Sequence, residues 1–206
     1  RSSDLKAVGD ANKRIEEQIG SLRRRQKMWT EHHDRDVLQF QRAFDELSTL
    51  DIEAELQAHK ELSEYNQKVK DINDLNKALK RAELDQDRER KLYDRIEREV
   101  AALHEHKCHA CGQELHDENH ETQLAAKLKE LETVTIDFEA LGFQIVELKN
   151  ALTEFGEAGA PPKVYYDRES DAFEHRSSMA SVLAQLNAKE KEADPYAEQI
   201  KEMSEQ

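Results

Sequence analysis

The sequence is poor in residues that interrupt a helix and in long apolar runs. Its 206 residues include three prolines and six glycines, and the first proline is Pro161. Because proline removes a backbone donor and clashes with the preceding turn, its absence before that point permits very long helices. No apolar run approaches the roughly 20 residues that cross a bilayer, and the start shows no signal-peptide pattern. We therefore expect a helical chain with no membrane partner.

Charged side chains are abundant, but positive charge is in deficit. Charged and hydrophobic residues each make up 37% of the chain, aromatic residues make up 6%, and the net charge is −14. This composition is too polar for a globular core of this size and too rich in regularly spaced leucine for disorder, and it is typical of long coiled coils. The net charge argues against the helices gripping a phosphate backbone, which would require a basic stripe. The basic run from Arg23 to Arg25 indicates a solvated helix face.

Motifs for catalysis are missing as well. The glycine-rich stretch from Gly156 to Lys163 lacks the residue order of a phosphate-binding loop. The sequence contains no nucleophile elbow and no paired carboxylates in a context that would form a pocket. We therefore expect no enzyme activity in this chain.

The first half of the sequence carries the spacing of a coiled-coil seam. Apolar residues recur there at steps of three, four and seven, as heptad positions a and d require. This pattern predicts an ascending coiled-coil arm over residues 1–105, with an irregular helix around Met28 to Phe40, where the stripe drifts out of phase. The residues that carry the stripe are Leu62, Tyr65, Val69, Ile72 and Leu79, followed by Leu92, Ile96, Val100 and Leu103.

The pattern resumes in the second half and predicts a descending arm over residues 119–155. There the apolar positions step by four, three and seven, and together they read as one buried stripe. They are Leu124, Leu128, Leu131, Val134, Phe138, Leu141, Ile145, Leu148, Leu152 and Phe155.

Glycine and proline then stop the descending arm. Gly156, Gly159, Pro161 and Pro162 predict a joint over residues 156–167, because two prolines cannot continue a helix. We expect a local bend or bulge there, opposite residues 57–63. The arm should continue over residues 168–206, with a helix restarting between Asp167 and Asp171 and a final turn and helix after Pro195.

Between the arms lies the one predicted reversal, residues 106–118, which holds both cysteines of the chain. Cys108 and Cys111 have C-x-x-C spacing and Gly112 follows, so both thiolates could reach one soft metal ion in a tight turn. A structural zinc site needs four ligands, and these cysteines supply two. The other two must come from a second copy of the chain or from nearby histidines, namely His104, His106, His109, His116 and His120.

The histidine alternative has a recognisable spacing. Cys108, Cys111, His116 and His120 form C-x2-C-x4-H-x3-H, which is close to a nucleic-acid-binding zinc knuckle. Knuckles normally lie in basic, flexible chains, whereas this one lies between helical patterns in an acidic chain. The simplest alternative is that the histidines are exposed polar loop residues and the cysteines are unrelated buried thiols.

The segment from Cys108 to Leu115, set between coiled-coil arms, resembles the zinc hook of the SbcC-type, SMC-like DNA repair ATPases. The resemblance implies that each hook gives two cysteines and that two hooks share one zinc ion. It also implies a parent protein with ATPase halves at both ends of the arms, which binds DNA ends with a metal-dependent nuclease subunit. The family usually has proline after the first cysteine. Here His109 removes that φ restraint and adds another candidate ligand.

Together these observations predict an all-α fold, a long intramolecular antiparallel coiled coil with a C-x-x-C zinc-hook turn at its apex. The expected function is zinc-mediated dimerisation and tethering, with zinc held by Cys108 and Cys111 and a second copy as partner. The nuclease subunit and DNA would be bound by parts of the parent outside this chain, since a start at Arg-Ser-Ser suggests a piece of a longer protein. Metal-binding thiolates imply an intracellular reducing compartment, cytoplasm or nucleus. The alternatives are a helical stalk with a nucleic-acid-binding knuckle and a plain coiled-coil scaffold.

Overall fold

The protein is all-α, as predicted. A computed structural model describes residues 1–105, 110, 111, 113 and 119–206, and no strand occurs in that part of the chain. The helices are α1 (Ser2–Leu47), α2 (Ile52–His104), α3 (Asn119–Phe155), α4 (Glu169–Lys191) and α5 (Ala197–Ser204). The chain forms two compact units. Unit 1 comprises Arg1–Lys60 with Lys163–Gln206, and unit 2 comprises Glu61–Pro162.

The first interruption lies between α1 and α2. The prediction of an irregular helix around Met28 to Phe40 is wrong, since α1 is continuous there. Instead the Ser48 hydroxyl donates to the Phe44 carbonyl at 2.7 Å and the Thr49 hydroxyl donates to the Glu46 carbonyl at 2.7 Å. Hydroxyl side chains compete in this way with the backbone ladder. Asp51 then caps α2 by accepting the Ala54 N–H at 3.1 Å.

In unit 2, α2 and α3 run antiparallel. Lys127, near the start of α3, pairs with Glu99 near the end of α2 at 2.8 Å, whereas Lys149 lies 4.0 Å from Glu83, further back on α2. The apolar stripes of the two helices meet around the first of these pairs. The core contains Ile96, Val100 and Val134, with Leu92, Tyr93, Leu124 and Leu131 packed against it.

One member of the predicted α3 stripe is exposed. Leu128 is 44% exposed, so its assignment to the buried stripe is wrong. The core-facing position in that turn belongs to Lys127, which is half-buried and reaches Glu99. The long aliphatic stem of a lysine fills a seam position while its ammonium group finds a carboxylate at the edge.

The helix stop predicted at Gly156 is confirmed. α3 ends at Phe155, and Gly156 follows with a φ of +64°, a left-handed conformation that favours glycine. The Gly156 N–H donates to the Leu152 carbonyl at 3.1 Å, and Lys68 of α2 donates to the Glu157 carbonyl at 3.1 Å. The chain is not helical again until α4 begins at Glu169, within the range predicted for the restart.

In unit 1, α1 packs against α4 and α5. The His33 ring donates to the Lys189 carbonyl at 2.6 Å, and Gln26 donates to the Asp194 carboxylate at 2.6 Å. Trp29 stacks on His33, with ring centroids 4.7 Å apart. The short helix expected after Pro195 is confirmed as α5.

Candidate metal centre

The end of α2 and the start of α3 are held together just below the predicted metal-binding turn. Leu103 is 1% exposed and His120 is 6% exposed. The His120 Nε2–H donates to the Leu103 carbonyl, which otherwise has no intrahelical partner because it lies in the last turn of α2. His120 therefore joins the two helix ends and is not the exposed loop residue of the simplest expectation.

An ion pair reinforces the same region two turns further from the reversal. The ammonium group of Lys127 lies 2.8 Å from Glu99 and 3.4 Å from Glu130. The hydrogen bond to Glu99 raises the pKa of Lys127, against the opposing effect of its burial. The lysine is therefore charged at neutral pH, and the pair favours the antiparallel register that brings the reversal to one end of the unit.

The described part of the reversal presents one thiol. Ala110 and Cys111 lie in a turn, and Cys111 is exposed. Cys108, the second predicted ligand, lies outside the described residues, as do His106, His109 and His116. Within the part of the chain that the structure describes, no group of three or more His, Cys, Asp or Glu side chains could hold a metal ion.

The remaining two histidines differ in environment. His104 is exposed at the last position of α2, whereas His120 is buried at the second position of α3. In the knuckle arrangement His120 would ligate through Nδ1, since its Nε2–H is bound to the Leu103 carbonyl. Metal-binding histidines often donate their second ring N–H to a backbone carbonyl, which fixes the ring and its tautomer.

A second polar site lies in unit 1, and sequence reasoning missed it. The buried carboxylate of Glu55 accepts the backbone N–H of Tyr165 at 2.8 Å and that of Tyr166 at 3.1 Å. Burial raises the pKa of Glu55. The two backbone donors and the neighbouring His59 lower it by more than burial raises it, so the pKa lies below its ordinary value. Glu55 thereby anchors the end of the glycine- and proline-rich segment to the start of α2.

The neighbours of Glu55 extend this Glu55 cluster, which comprises Glu55, His59, Tyr165, Tyr166 and His175. His59 Nε2 lies 2.9 Å from a Glu55 oxygen, but the contact lacks hydrogen-bond geometry, so it is an ion pair only when His59 is protonated. The Tyr166 hydroxyl donates to Nδ1 of His175 at 2.9 Å, and the other ring N–H of His175 donates to the Leu47 carbonyl at 2.8 Å. The cluster thus joins α1, α2 and α4 and has the character of a structural anchor.

The membrane-spanning potential of the helices and the similarity of the chain to known proteins complete the description. Among the described residues, no helix combines the length and apolar character needed to cross a membrane. Set against known proteins, the chain matches no family model, no curated protein and no solved structure.

Proposed function

We propose that this chain is the zinc-mediated dimerisation and tethering element of a DNA repair ATPase–nuclease complex, which joins two coiled-coil rods through one shared zinc ion. The observation that carries the proposal is the exposed thiol of Cys111, in the connection between two antiparallel helices. An exposed thiol at such an end is open to a second molecule. The resemblance of Cys108 to Leu115 to a zinc hook supplies the rest of the proposal.

The chemistry of the donor set fits zinc. Cysteine thiolates are its preferred structural ligands, and a closed site has four of them or a mixture with histidine. Cys108 and Cys111 would supply two, and the same pair from a second copy would supply the others. Bound in this way, zinc crosslinks two chains, so the free energy of metal binding becomes free energy of dimerisation.

The helical pair below the turn suits a tether. The core around Ile96, together with the contact between His120 and Leu103, fixes both ends of the reversal to each other. A metal ion bound at the turn would therefore be attached to two helix ends that are packed against each other. The ATPase halves lie in parts of the parent outside this chain, and those parts bind the nuclease subunit and DNA. The protein works in a reducing compartment of the cell, which keeps the thiols free of disulfides.

The test is the metal content and mass of the wild-type protein and two variants. At high salt, which screens contacts between exposed charges, Cys108→Ser with Cys111→Ser should lose zinc and fall to the mass of a single chain. His104→Ala, a matched change of an exposed side chain near the same turn, should keep both zinc and the dimer. Because thiolates must be deprotonated to bind metal, the wild-type dimer should also dissociate in chelator and at acid pH. Equal mass for all variants would remove the proposal.

A zinc knuckle is the second candidate, and the environment of His120 favours it. A ring whose Nε2–H is bound to a carbonyl would ligate a metal through Nδ1, and a backbone carbonyl is a common second partner of metal-binding histidines. This arrangement predicts one zinc ion in each monomer, loss of zinc in His116→Ala with His120→Asn, and binding to single-stranded nucleic acid. The hook predicts that the histidine variant keeps its zinc. A plain scaffold predicts no bound metal in any variant.

A further inference from the structure

The part of helix α2 that lies in unit 2 carries a second seam, outside the buried core. Its members recur at steps of four and three, the spacing of a helix-packing surface, yet six of the seven are cations. They are Lys77, Arg81, Leu84, Arg88, Lys91, Arg95 and Arg98, here called the cationic seam. All seven are exposed, whereas Ile96, Val100 and Leu103 of the same helix are buried. The net-charge prediction against nucleic-acid binding by the helices did not consider this face, and it stays a prediction.

Helix α3 carries a second seam of the opposite character. Its members also step by four and three, and they are Glu132, Ile136, Glu139, Phe143 and Val146, here called the acidic-apolar seam. Phe143 is 72% exposed, Ile136 58% and Val146 56%, while Val134 and Ile145 of the same helix are buried. Large apolar side chains that line up on an exposed face mark a contact surface.

We infer that the acidic-apolar seam of one chain packs against the cationic seam of a second copy. The two seams share the same periodicity and carry opposite charge. The cationic seam offers Leu84, which is 57% exposed, and the aliphatic stems of its lysines and arginines to cover Phe143 and Ile136. The carboxylates of Glu132 and Glu139 would meet guanidinium groups such as that of Arg88. This inference is independent of the proposed metal site.

A nucleic acid is the other polyanion that a cationic seam could attract. It explains the observations less well, because it leaves the apolar residues of α3 uncovered. Three of the cations are also partly neutralised on α2 itself. Arg88 lies 3.5 Å from Asp85, Lys91 lies 3.1 Å from Asp87, and Arg95 lies 3.8 Å from Glu99. A second copy accounts for both seams with one contact.

The two seams lie on different faces of the unit, so the contact is heterologous, the arrangement that produces open arrays. Mass should therefore rise with protein concentration without levelling at two chains. A metal-joined dimer is closed and disappears in chelator, so its loss and the loss of the seam contact are distinguishable. High salt should weaken the seam contact because it screens exposed charges.

The test is sedimentation of the 206-residue chain in chelator and low salt. We expect Ile136→Asp with Phe143→Asp to weaken self-association about tenfold or more, because the apolar contact is lost. Lys6→Glu with Lys13→Glu changes as many exposed side chains outside the seams and should have no such effect. Single-chain mass for the wild-type protein at every concentration would overturn the inference.

A charge-reversed pair separates loss of contact from loss of folding. Arg88→Glu with Arg95→Glu puts two carboxylates into the cationic seam, where they would face Glu132 and Glu139, and Glu132→Lys with Glu139→Lys puts two cations into the other seam. Neither variant should associate alone, but a mixture should, because each seam then meets one of opposite charge. A mixture that stays dissociated would contradict the inference. A second result would also contradict the inference. In it, the wild-type protein alone has single-chain mass but binds duplex DNA, and Arg88→Glu with Arg95→Glu removes that binding.

Discussion

Two parts of this molecule fix one segment of the chain to another, and they do so by different interactions. One is near the reversal in unit 2, and the other is the Glu55 cluster in unit 1. Near the reversal, buried apolar side chains such as Leu103 make most of the contacts, and His120 adds one hydrogen bond between Leu103 and the start of α3. At the Glu55 cluster, a buried carboxylate accepts two backbone N–H groups of the segment that precedes α4. The first should respond to side-chain volume, and the second to hydrogen bonding and charge.

The largest effect is expected from Leu103→Ala. Leu103 is 1% exposed, and removing it leaves a cavity that should lower the free energy of unfolding by about 3 kcal/mol. Leu84→Ala, at an exposed position of the same helix, should cost less than about 0.5 kcal/mol. Urea unfolding followed by far-UV circular dichroism, in chelator and high salt, measures both. Equal losses would show that the reversal does not depend on apolar burial.

Glu55→Ala should lower the free energy of unfolding of unit 1 by about 2 kcal/mol. Its removal leaves the partly buried N–H groups of Tyr165 and Tyr166 without their acceptor, which is the costly side of losing a hydrogen bond. The exposed neighbour Glu53→Ala is the control. Trp29 lies in unit 1, so its fluorescence during urea unfolding reports on this unit. A Glu55→Ala protein as stable as the control would refute the anchoring role.

Acid should have a smaller effect at the same site, because protonation keeps the shape of the side chain. The folded pKa of Glu55 lies below its ordinary value of 4.5. Its charge therefore stabilises unit 1 above that pH, and the contribution is lost as the pH falls through the folded pKa. Glu55→Gln should show a flatter stability curve below about pH 4.5 than the wild-type protein. Parallel curves would assign the acid sensitivity to other groups.

The smallest effect is expected at the end of α3. Gly156→Ala should cost about 1 kcal/mol, since the φ of +64° is unfavourable for a residue with a side chain. Gly9→Ala, inside the exposed helix α1, should instead stabilise the protein by a similar amount. The sign of the two changes in thermal unfolding is the readout, and the same sign for both would contradict the assigned backbone conformation.

Apolar spacing predicted most of the fold but only part of the polar sites. Leu124, Leu131 and Val134 were assigned to a buried stripe, and they lie in or against the core, because a seven-residue apolar period has one low-energy solution in water. Glu55 could not be found in this way. In sequence it looks like any solvated helix carboxylate, and its role depends on Tyr165, 110 residues away.

The cationic seam was missed for a different reason. Its residues have a coiled-coil period, but the period was sought among apolar residues, and the net charge of −14 concealed a local excess of cations. Charge is distributed by helix face, and a sum over the chain hides that distribution. For the metal site, C-x-x-C spacing predicted the ligand type. That site stays a prediction, and the spacing could not identify the remaining ligands, because those would belong to histidines close in sequence or to another molecule.

The central claim is that one zinc ion is shared by two chains. The most direct test is to measure zinc content and sedimentation mass on the same sample, at high salt so that the seam contact is screened, before and after chelation. The account predicts one zinc ion per two chains and a dimer that dissociates when the metal is removed. A single chain that retains its own zinc ion, or a dimer whose mass is unchanged by chelation, would contradict it.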